Sequence, residues 1–413
     1  MTEPVVVVGA GLAGLRAAEQ LRAAGNTGPV VVVGREKHPP YNRPPLTKDA
    51  LKNGVDVTAL QFRQRASTAD VTWRLGRTVV GSDLDAHTVT LDGGEVATYR
   101  GLVVATGVET RRLRLDAPVS WRHGIRTLDD AAALREALRP GRRVVVLGAG
   151  FVGTEVAATA TQLGCEVLVI DPLPLPLVRA LGRVVGAEAQ RRHEERGVQF
   201  HLGRSVLAIE GGDGPAGVVL DDGTRLPADV VVEAVGSVPH AEWLQGNRLD
   251  LTDGVLCDGA LHPLRGGAPV LDVVALGDVA RFPVPGFGDG PVRIEHWSWP
   301  TEVAAHAARS LVAGLNGAPA PEAPFLPLPT FWTDQWGVRF QSLGMPHLGL
   351  DDVRVLEGHL AGECAVGYHD GTGRLVGVVL IGLARELLTY RSRIVSERPA
   401  HTQGSSAPLS ATR

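Results

Sequence analysis

The residues of this 413-residue chain best suited to chemistry are two sets of three glycines. Each set has Gly-x-Gly-x-x-Gly spacing, follows an apolar run that predicts a buried strand, and precedes an alanine-rich run that predicts a helix. The sets are Gly9, Gly11, Gly14 and Gly148, Gly150, Gly153. In such a turn the first glycine permits a tight bend, the second lets a pyrophosphate approach the backbone, and the third lets helix pack against strand. The N-terminus of the following helix favours the anion.

Two matches in the right context predict two dinucleotide sites, whereas one match could be a purely structural turn. We expect a chain with two such sites to pass electrons between the two dinucleotides. The alternative is a duplicated fold whose second copy no longer binds.

The residues after the second strand of each unit distinguish the two predicted sites. Roughly 20 residues beyond the glycines, an acid usually accepts hydrogen bonds from the adenosine ribose. In the second unit Asp171 takes this place, and it repels a 2′-phosphate, so NADH is expected over NADPH; Arg179 is the nearest cation. In the first unit Arg35 stands where an acid is expected, and Glu36 follows. Either Glu36 holds the ribose, or Arg35 contacts the adenine side, or both are solvated loop charges.

The order of predicted elements indicates an α/β fold. Strands alternating with helices predict two Rossmann-like, doubly wound dinucleotide-binding domains, and the last segment predicts a small α+β domain. The predicted extents are 1–110 with 236–320 for a discontinuous first domain, 111–235 for the second, 325–395 for the C-terminal domain and 396–413 for a disordered tail. The return to the first domain rests on the apolar run 273–276, and the Pro-rich segment 319–329 is the predicted linker.

Bulk composition argues against several classes of protein. The formal net charge of −4 gives no reason to expect nucleic acid or an anionic membrane as partner. No apolar run is long enough to span a bilayer, and the run 375–383 is only strand-sized. The three cysteines lie far apart, which suits a reducing cytoplasm and argues against a disulfide framework. We predict a cytoplasmic protein without a metal site.

Five further elements, in this order, resemble the FAD-dependent, NAD(P)H-linked ferredoxin reductases that serve bacterial oxygenases and cytochromes P450. They are Pro-Tyr-Asn-Arg-Pro-Pro-Leu-Thr-Lys at 40–48, Ile-Arg-Thr-Leu at 125–128, Leu-Gly-Asp-Val-Ala at 276–280, Glu-His-Trp at 295–297 and Phe-Trp-Thr-Asp-Gln at 331–335. The resemblance covers residues 4–395. It implies hydride transfer from NADH to FAD and then one-electron transfers to a small acidic iron–sulfur ferredoxin, which feeds a cytochrome P450 or other oxygenase.

The same resemblance implies roles for individual residues. Lys48 would lie beside the flavin N5 edge and face Glu155 across the domain boundary, as the catalytic pair; a surface lysine is the alternative. Contacts with FAD are implied at Gly9, Gly11, Gly14, Arg35, Glu36, Arg43, Lys48, Arg126, Gly277, Asp278 and Trp297, and further cofactor contacts are implied at Ala13, Val79, Ala105, Gly107 and Glu295. Contacts with the nicotinamide dinucleotide are implied at Gly148, Gly150, Gly153, Glu155 and Asp171.

Plain structural roles stay open for four of these residues. Asp278 could equally cap a helix, because a strand-end aspartate often does so. Trp297 could be a core residue, and Arg43 and Arg126 could be surface arginines.

Related two-dinucleotide flavoenzymes provide the rival hypotheses. Disulfide reductases need a cysteine pair beside the flavin and peroxidases need a cysteine near residue 45, but residues 35–50 contain none. A membrane quinone reductase would need an amphipathic anchor, and the segment 384–394 fits a closing helix better. A redox-sensing protein like the apoptosis-inducing flavoproteins, or an NADH-dependent FAD oxidoreductase without a ferredoxin partner, remains the alternative.

An acidic ferredoxin predicts a basic docking face. The two candidate clusters are Arg111, Arg112, Arg114 and Arg139, Arg142, Arg143. Solvated surface charge is the alternative for both clusters.

Overall fold

The computed structural model describes residues 3–288, 290–319 and 325–398. The chain starts with a strand of four valines that are buried on both faces, as a parallel sheet covered by helices requires. Up to residue 110 the elements are β1 (Val5–Val8), α1 (Leu12–Ala23), β2 (Val30–Gly34), α2 (Asp49–Asn53), α3 (Val57–Leu60), β3 (Thr72–Leu75), β4 (Val79–Asp83), β5 (Thr88–Leu91), β6 (Val96–Thr98), β7 (Gly101–Val104) and β8 (Val108–Thr110).

The middle of the chain repeats this plan. Its elements are β9 (Arg122–His123), α4 (Leu128–Ala137), β10 (Arg143–Leu147), α5 (Phe151–Gln162), β11 (Glu166–Asp171), α6 (Val178–Glu194), β12 (Gln199–Leu202), β13 (Val206–Gly211), β14 (Pro215–Leu220), β15 (Arg225–Pro227) and β16 (Val230–Glu233). Helix α5 begins at Phe151, directly after the second glycine of its motif.

The remaining elements return to the first sheet and then build a third layer. They are β17 (Ser237–Pro239), β18 (Val255–Leu256), β19 (Leu264–Arg265), β20 (Ala268–Pro269), β21 (Val273–Ala275), β22 (Ala280–Pro283), β23 (Pro291–Arg293), α7 (Trp299–Leu315), β24 (Thr330–Gln335), β25 (Val338–Gly344), β26 (Val353–Gly358), β27 (Cys364–His369), β28 (Leu375–Ile381) and α8 (Leu387–Ser396).

Two parallel five-stranded sheets have the same strand arrangement. The first runs β3-β2-β1-β7-β21 and the second β12-β11-β10-β16-β9, with the glycine-motif strand at the centre of each. The fifth strand of the first sheet, β21, comes from later in the chain than the other four strands. The fifth strand of the second sheet, β9, comes from earlier in the chain than its other four strands. A two-stranded antiparallel ribbon of β8 and β17 carries the chain between the two sheets.

The C-terminal layer is the antiparallel sheet β24-β25-β28-β27-β26, on which α8 packs. The predicted fold class, with two Rossmann-like sheets and a small α+β unit, is therefore confirmed. The predicted start of the tail is wrong: α8 runs through Ser396, and the Glu397 carboxylate accepts a hydrogen bond from the Leu375 N–H at 2.7 Å. The rest of the predicted tail, 399–413, and part of the predicted linker, 320–324, lie outside the described residues. None of the helices in the described ranges is both long and apolar enough to cross a bilayer.

Candidate functional site

Both glycine loops line one cavity of about 1320 Å³. Pockets for one small ligand typically have volumes of roughly 300–1,000 Å³, so this cavity is larger than one such ligand requires. The carboxyl ends of the two parallel sheets supply most of the wall, where ligands of doubly wound sheets bind. The C-terminal sheet contributes further residues, among them Phe331 and Trp332 of β24.

The first glycine of each motif is fixed by backbone conformation and by a close strand contact. Gly9 and Gly148 have φ values of +117° and +102°, in the region that favours glycine. A Cβ atom on Gly9 would lie 2.2 Å from the Ala105 carbonyl oxygen, and one on Gly148 would lie 2.4 Å from that of Ala234. Each loop can therefore approach the neighbouring strand only without a side chain.

The third glycine of each motif packs beneath its loop. A Cβ atom on Gly14 would lie 1.9 Å from the Gly9 carbonyl oxygen, and one on Gly153 would lie 1.9 Å from that of Gly148. Neither Gly14 nor Gly153 lines the cavity. Their role is to bring helix and strand together, as the motif predicts.

The second glycine of each motif faces open space. The nearest described atom to a Cβ on Gly11 would be Arg43 Nη2 at 3.9 Å, and no atom of the described residues lies within 4 Å of one on Gly150. Both residues line the cavity at the N-terminus of a 12-residue helix. Free backbone N–H groups, helix dipole and empty space together fit a pyrophosphate at each loop.

The other predicted site residues also converge on this cavity. Those that line it are Ala13, Arg35, Glu36, Arg43, Lys48, Val79, Ala105, Gly107, Arg126, Glu155, Asp171, Asp278, Glu295 and Trp297. Gly277 does not line it; its φ is +78°, and a Cβ there would lie 3.1 Å from the Ala13 Cβ. Gly277 thus permits close packing behind the first loop.

Lys48 and Glu155 form an ion pair between the two halves of the cavity. A short 3₁₀ turn, Pro44–Thr47, presents Lys48, and the first turns of α5 present Glu155. Lys48 Nζ lies 2.7 Å from Glu155 Oε2, and the two side chains are only 17% and 8% exposed. Lys48 also donates to the Pro44 carbonyl at 3.1 Å and to Thr47 Oγ1 at 3.2 Å. Lys48 is therefore not a free surface lysine.

Glu155 has two further partners that sequence reasoning missed. Thr47 Oγ1 donates to Glu155 Oε2 at 2.5 Å, and Thr333 Oγ1 of β24 donates to Oε1 at 2.6 Å. Gln335 Nε2 donates to the Thr154 hydroxyl at 2.7 Å. The available signal was the two-residue period of β24, which places Thr333 and Gln335 on one face.

Strand register changes the interpretation of the acid in the first site. Val8 pairs with Val33 and Leu147 pairs with Ile170, so Gly34 is the structural counterpart of Asp171. A Cβ on Gly34 would lie 2.3 Å from the Ala10 Cβ, and therefore no acid fits at that position.

The two charged residues after Gly34 have separate partners. Glu36 accepts hydrogen bonds from the Tyr41 hydroxyl at 2.5 Å and from Arg43 Nη2 at 2.6 Å. Arg43 also donates to the Arg126 carbonyl at 2.5 Å, which excludes an ordinary surface role. Arg35 is half exposed and lies 3.5 Å from Glu109. Of Arg35 and Glu36, it is therefore Glu36 that hydrogen bonds fix in the site.

In the second site the Asp171 carboxylate holds its own glycine loop. Oδ2 accepts the Ala149 N–H at 2.7 Å, and Oδ1 accepts the Leu173 N–H at 2.8 Å. Two cations line the nearby wall, Arg179 and Arg204, and the second was missed from the sequence. Arg204 is paired with Asp222 at 3.1 Å.

Arg126 and Asp278 contact each other, although 152 residues separate them. Arg126 Nη2 donates to Asp278 Oδ2 at 3.0 Å, and Nε donates to the Val108 carbonyl at 3.1 Å. Burial raises the pKa of Asp278, and the nearby guanidinium opposes that rise. The resemblance implied a cofactor contact for each residue separately and did not indicate their pairing.

The Glu-His-Trp element brings three different side chains to the wall. Glu295 accepts hydrogen bonds at 2.6 Å from the Ser237 hydroxyl and from Arg293 Nη1. Trp297 is 36% exposed and packs edge-on against Trp332, with ring centroids 5.1 Å apart, so it is not a core residue. His296, which sequence reasoning passed over, lies 4.7 Å from the Phe331 ring, and burial lowers its pKa to about 3, so it is neutral.

The three cysteines take no part in this site. Cys165, Cys257 and Cys364 are buried and unpaired, and none lines the cavity. Burial raises the pKa of each thiol. The arrangement lacks the cysteine pair that disulfide reduction requires.

Comparisons with known proteins agree with this geometry. The family model described as pyridine nucleotide-disulphide oxidoreductase matches residues 3–304. The chain is 39% identical over 407 residues to the ferredoxin–NAD(+) reductase component of the anthranilate 1,2-dioxygenase system of Burkholderia cepacia, covering 95% of this chain and 94% of that protein. It is 33% identical over 400 residues to rhodocoxin reductase of Rhodococcus erythropolis, covering 96% and 90%.

A solved structure extends the likeness to the fold. The crystal structure of the covalent complex of putidaredoxin reductase with putidaredoxin matches with a TM-score of 0.86 and 30% identity, covering 96% of this chain and 93% of that chain. The resemblance predicted from the sequence is thereby confirmed. The chain belongs to the pyridine nucleotide-disulphide oxidoreductase family and is an NAD(P)H-dependent oxidoreductase that uses FAD and NAD(H).

Proposed function

We propose that the protein passes electrons from NADH, through bound FAD, to a small acidic iron–sulfur ferredoxin that feeds an oxygenase, either a cytochrome P450 or another class. The observation that carries this proposal is that both glycine loops line one cavity, with Lys48 and Glu155 at the junction. A bound FAD supplies the exchange between a two-electron nicotinamide and a one-electron iron–sulfur centre. The predicted extents of the three folded domains and a cytoplasmic location are parts of the same proposal.

The residues of the chain act by binding and orienting. The loop at Gly11 holds one pyrophosphate and the loop at Gly150 the other, which fixes the two ligands in one cavity. Lys48 keeps a positive charge at the junction, and Glu155 lowers the cost of burying that charge.

The preference for NADH is supported by Asp171. Its carboxylate lies at the strand end, bound to the loop that would hold the nucleotide, where a 2′-phosphate would meet like charge. Arg204 is occupied by Asp222, which leaves Arg179 as the cation best placed to favour NADPH.

The ferredoxin partner is supported by the relatives, one a ferredoxin–NAD(+) reductase component and another solved with putidaredoxin. Of the predicted basic clusters, Arg112 is paired with Glu233 and Arg143 with Asp229, so each cluster loses part of its charge. Arg111 lines the cavity and stays exposed. Trp297 offers a second docking point, because it is exposed on the cavity wall.

These two docking points can be separated with putidaredoxin as the probe. Arg111→Ala would slow its reduction mainly at low salt, since steering by charge is screened. Trp297→Ala would slow its reduction at all salt concentrations.

The cofactor assignment is tested by the visible spectrum of the purified protein, followed by bleaching with NADH and with NADPH. A yellow protein bleached much faster by NADH supports the proposal. A colourless protein that FAD does not reconstitute would overturn the cofactor assignment, and equal rates with both nucleotides would remove Asp171 from its role.

A further inference from the structure

We propose that Thr333 is a positioning residue for the Lys48–Glu155 pair, through which the C-terminal sheet sets how firmly Glu155 holds Lys48. This inference rests on the proposed function, because it concerns the charge presented to a bound flavin. The C-terminal sheet would then adjust the charge presented by Lys48 in addition to covering the site.

Three alternate side chains on one face of β24 contact residues at the start of α5. Phe331 packs edge-on against Phe151 with ring centroids 4.8 Å apart, and Thr333 donates to Glu155 at 2.6 Å. Gln335, two residues further along the same face, donates to Thr154. Asp334 instead pairs with Arg339. The alternation of a β-strand thus directs every second side chain at the helix turn that carries Glu155.

The two carboxylate oxygens of Glu155 have unequal donors. Oε2 lies 2.7 Å from the Lys48 ammonium and accepts a hydrogen bond from the Thr47 hydroxyl, whereas within the described ranges the hydrogen bond to Oε1 comes from Thr333 alone. Thr333 is fully buried and Glu155 is nearly so. A buried carboxylate oxygen left without a donor is costly, so Oε1 depends on this one hydroxyl.

Gln335 fixes the direction of the Thr333 hydroxyl. Its Nε2 lies 3.2 Å from Thr333 Oγ1 and donates to it, so the hydroxyl oxygen is an acceptor there. The single hydroxyl proton is then directed to Glu155. Gln335 is itself buried, so the chain of hydrogen bonds from Gln335 to Thr333 to Glu155 is shielded from water.

The chain of hydrogen bonds from Gln335 to Glu155 affects the cavity through the charge of Lys48. The Lys48 ammonium is held by its ion pair with Glu155 and by hydrogen bonds to the Pro44 carbonyl and to Thr47. A move of Lys48 toward a bound flavin would lengthen the ion pair with Glu155. A carboxylate that already accepts from Thr333 attracts the ammonium less than one that does not. Removal of the Thr333 hydroxyl should therefore tighten the ion pair and withdraw positive charge from the cavity.

The test is a potentiometric titration of the bound flavin, without ferredoxin, in three variants. Thr333→Val keeps the shape of the side chain and removes the donor, and Thr333→Ser keeps the donor. Thr330→Val is the matched control, since its hydroxyl on the same strand bonds only the Leu328 carbonyl among the described residues. We expect Thr333→Val to move the flavin midpoint potential to more negative values and to slow reduction by NADH on the order of tenfold. Thr333→Ser and Thr330→Val should match the wild type.

A double-mutant cycle separates this role from general packing. Because Thr333 acts through Glu155, its effect on the potential should largely vanish in a Glu155→Gln background. Gln335→Met, which frees the Thr333 hydroxyl to rotate, should give a smaller shift in the same direction.

Three results would overturn the inference. One is an unchanged potential in folded Thr333→Val, a second is the same shift in Thr333→Ser as in Thr333→Val, and the third is full additivity with Glu155→Gln. Failure of the proposed function gives a different result, because a wild-type protein that binds no flavin has no potential to titrate.

Discussion

The two glycine loops have the same backbone and differ in what surrounds them. In both, the first glycine lies against a neighbouring strand and the third lies under the loop. Gly11 is half-buried, whereas Gly150 is exposed. The first loop is further enclosed by Arg43, while nothing in the described chain lies within 4 Å of a side chain built on Gly150.

The residues at the end of the second strand also differ between the two sites. Asp171 binds the second loop directly through the Ala149 N–H. Its counterpart Gly34 has no side chain, and Glu36 is held by Tyr41 and Arg43. The first loop is thus the more enclosed of the two, as a resident cofactor requires, and the second is the more open, as an exchanging nucleotide requires. The same glycine motif is therefore compatible with both a resident cofactor and an exchangeable substrate.

The largest effect on stability is expected from a substitution at the third glycine of a motif, which packs beneath its loop in both sites. Gly14→Ala should lower the free energy of unfolding by about 3 kcal/mol, because the new Cβ meets the Gly9 carbonyl. Gly11→Ala should lose flavin and keep the melting temperature of the apoprotein, since only ligand space is filled and the comparison is made without bound ligand. Thermal unfolding and flavin content measure the two effects, and equal melting temperatures for both variants would contradict the division of roles.

Substitution of Asp171 should affect the second site alone. Asp171→Ala leaves the Ala149 N–H unpaired and should lower kcat/KM for NADH by roughly tenfold to hundredfold. The loss for NADPH should be smaller, because the repulsion of the 2′-phosphate disappears. Steady-state kinetics with both nucleotides give the answer. Asp229→Asn, which changes a carboxylate beside the same sheet but outside the cavity, is the control, and it should leave both nucleotide constants unchanged. An equal loss with both nucleotides would show that Asp171 only supports the loop.

Arg43→Lys should affect the first site alone. Its guanidinium bonds Glu36 and the Arg126 carbonyl at once, and the smaller ammonium cannot reproduce that planar set. FAD should dissociate about tenfold more readily, while KM for NADH should stay within about twofold. Titration of the apoprotein with FAD measures the first quantity, and unaltered FAD affinity would remove Arg43 from the site.

The smallest effect concerns acid stability. Hydrogen bonds from Arg143 lower the pKa of Asp229 to about 2, and this pair joins the starts of β10 and β16. A carboxylate whose folded pKa is lowered stabilises the fold above its ordinary range near pH 4, and that stability is lost as the pH falls toward 2. No ion pair joins the starts of β1 and β7 in the described chain.

Hydrogen exchange between pH 5 and pH 2 should therefore show β10 and β16 losing more protection than β1 and β7. Asp229→Asn should remove that extra loss. Equal loss of protection in the two sheets of the wild type would rule out this difference.

Local patterns predicted much of the fold and part of the site. The glycine spacing, the buried valine runs and the strand-end position of Asp171 are local features, and each lies where it was expected. The approach of Lys48 to Glu155 came from the family resemblance and not from spacing.

Other features depend on register and tertiary contact, which one sequence does not encode locally. That Gly34 and not Arg35 is the counterpart of Asp171 follows from strand pairing. The pairing of Arg126 with Asp278 and the approach of Thr333 to Glu155 join segments more than 150 residues apart. The loss of charge from the arginine clusters, through Glu233 and Asp229, is a tertiary effect of the same kind.

Sequential rapid mixing tests the central claim most directly. Flavin-loaded protein is mixed without oxygen with NADH and then with oxidised putidaredoxin, while the flavin absorbance is followed. We expect fast bleaching by NADH and then fast return of the absorbance as two equivalents of the iron–sulfur protein are reduced. A bleached flavin that persists in the presence of putidaredoxin and other oxidised ferredoxins would contradict it and favour the redox-sensing alternative.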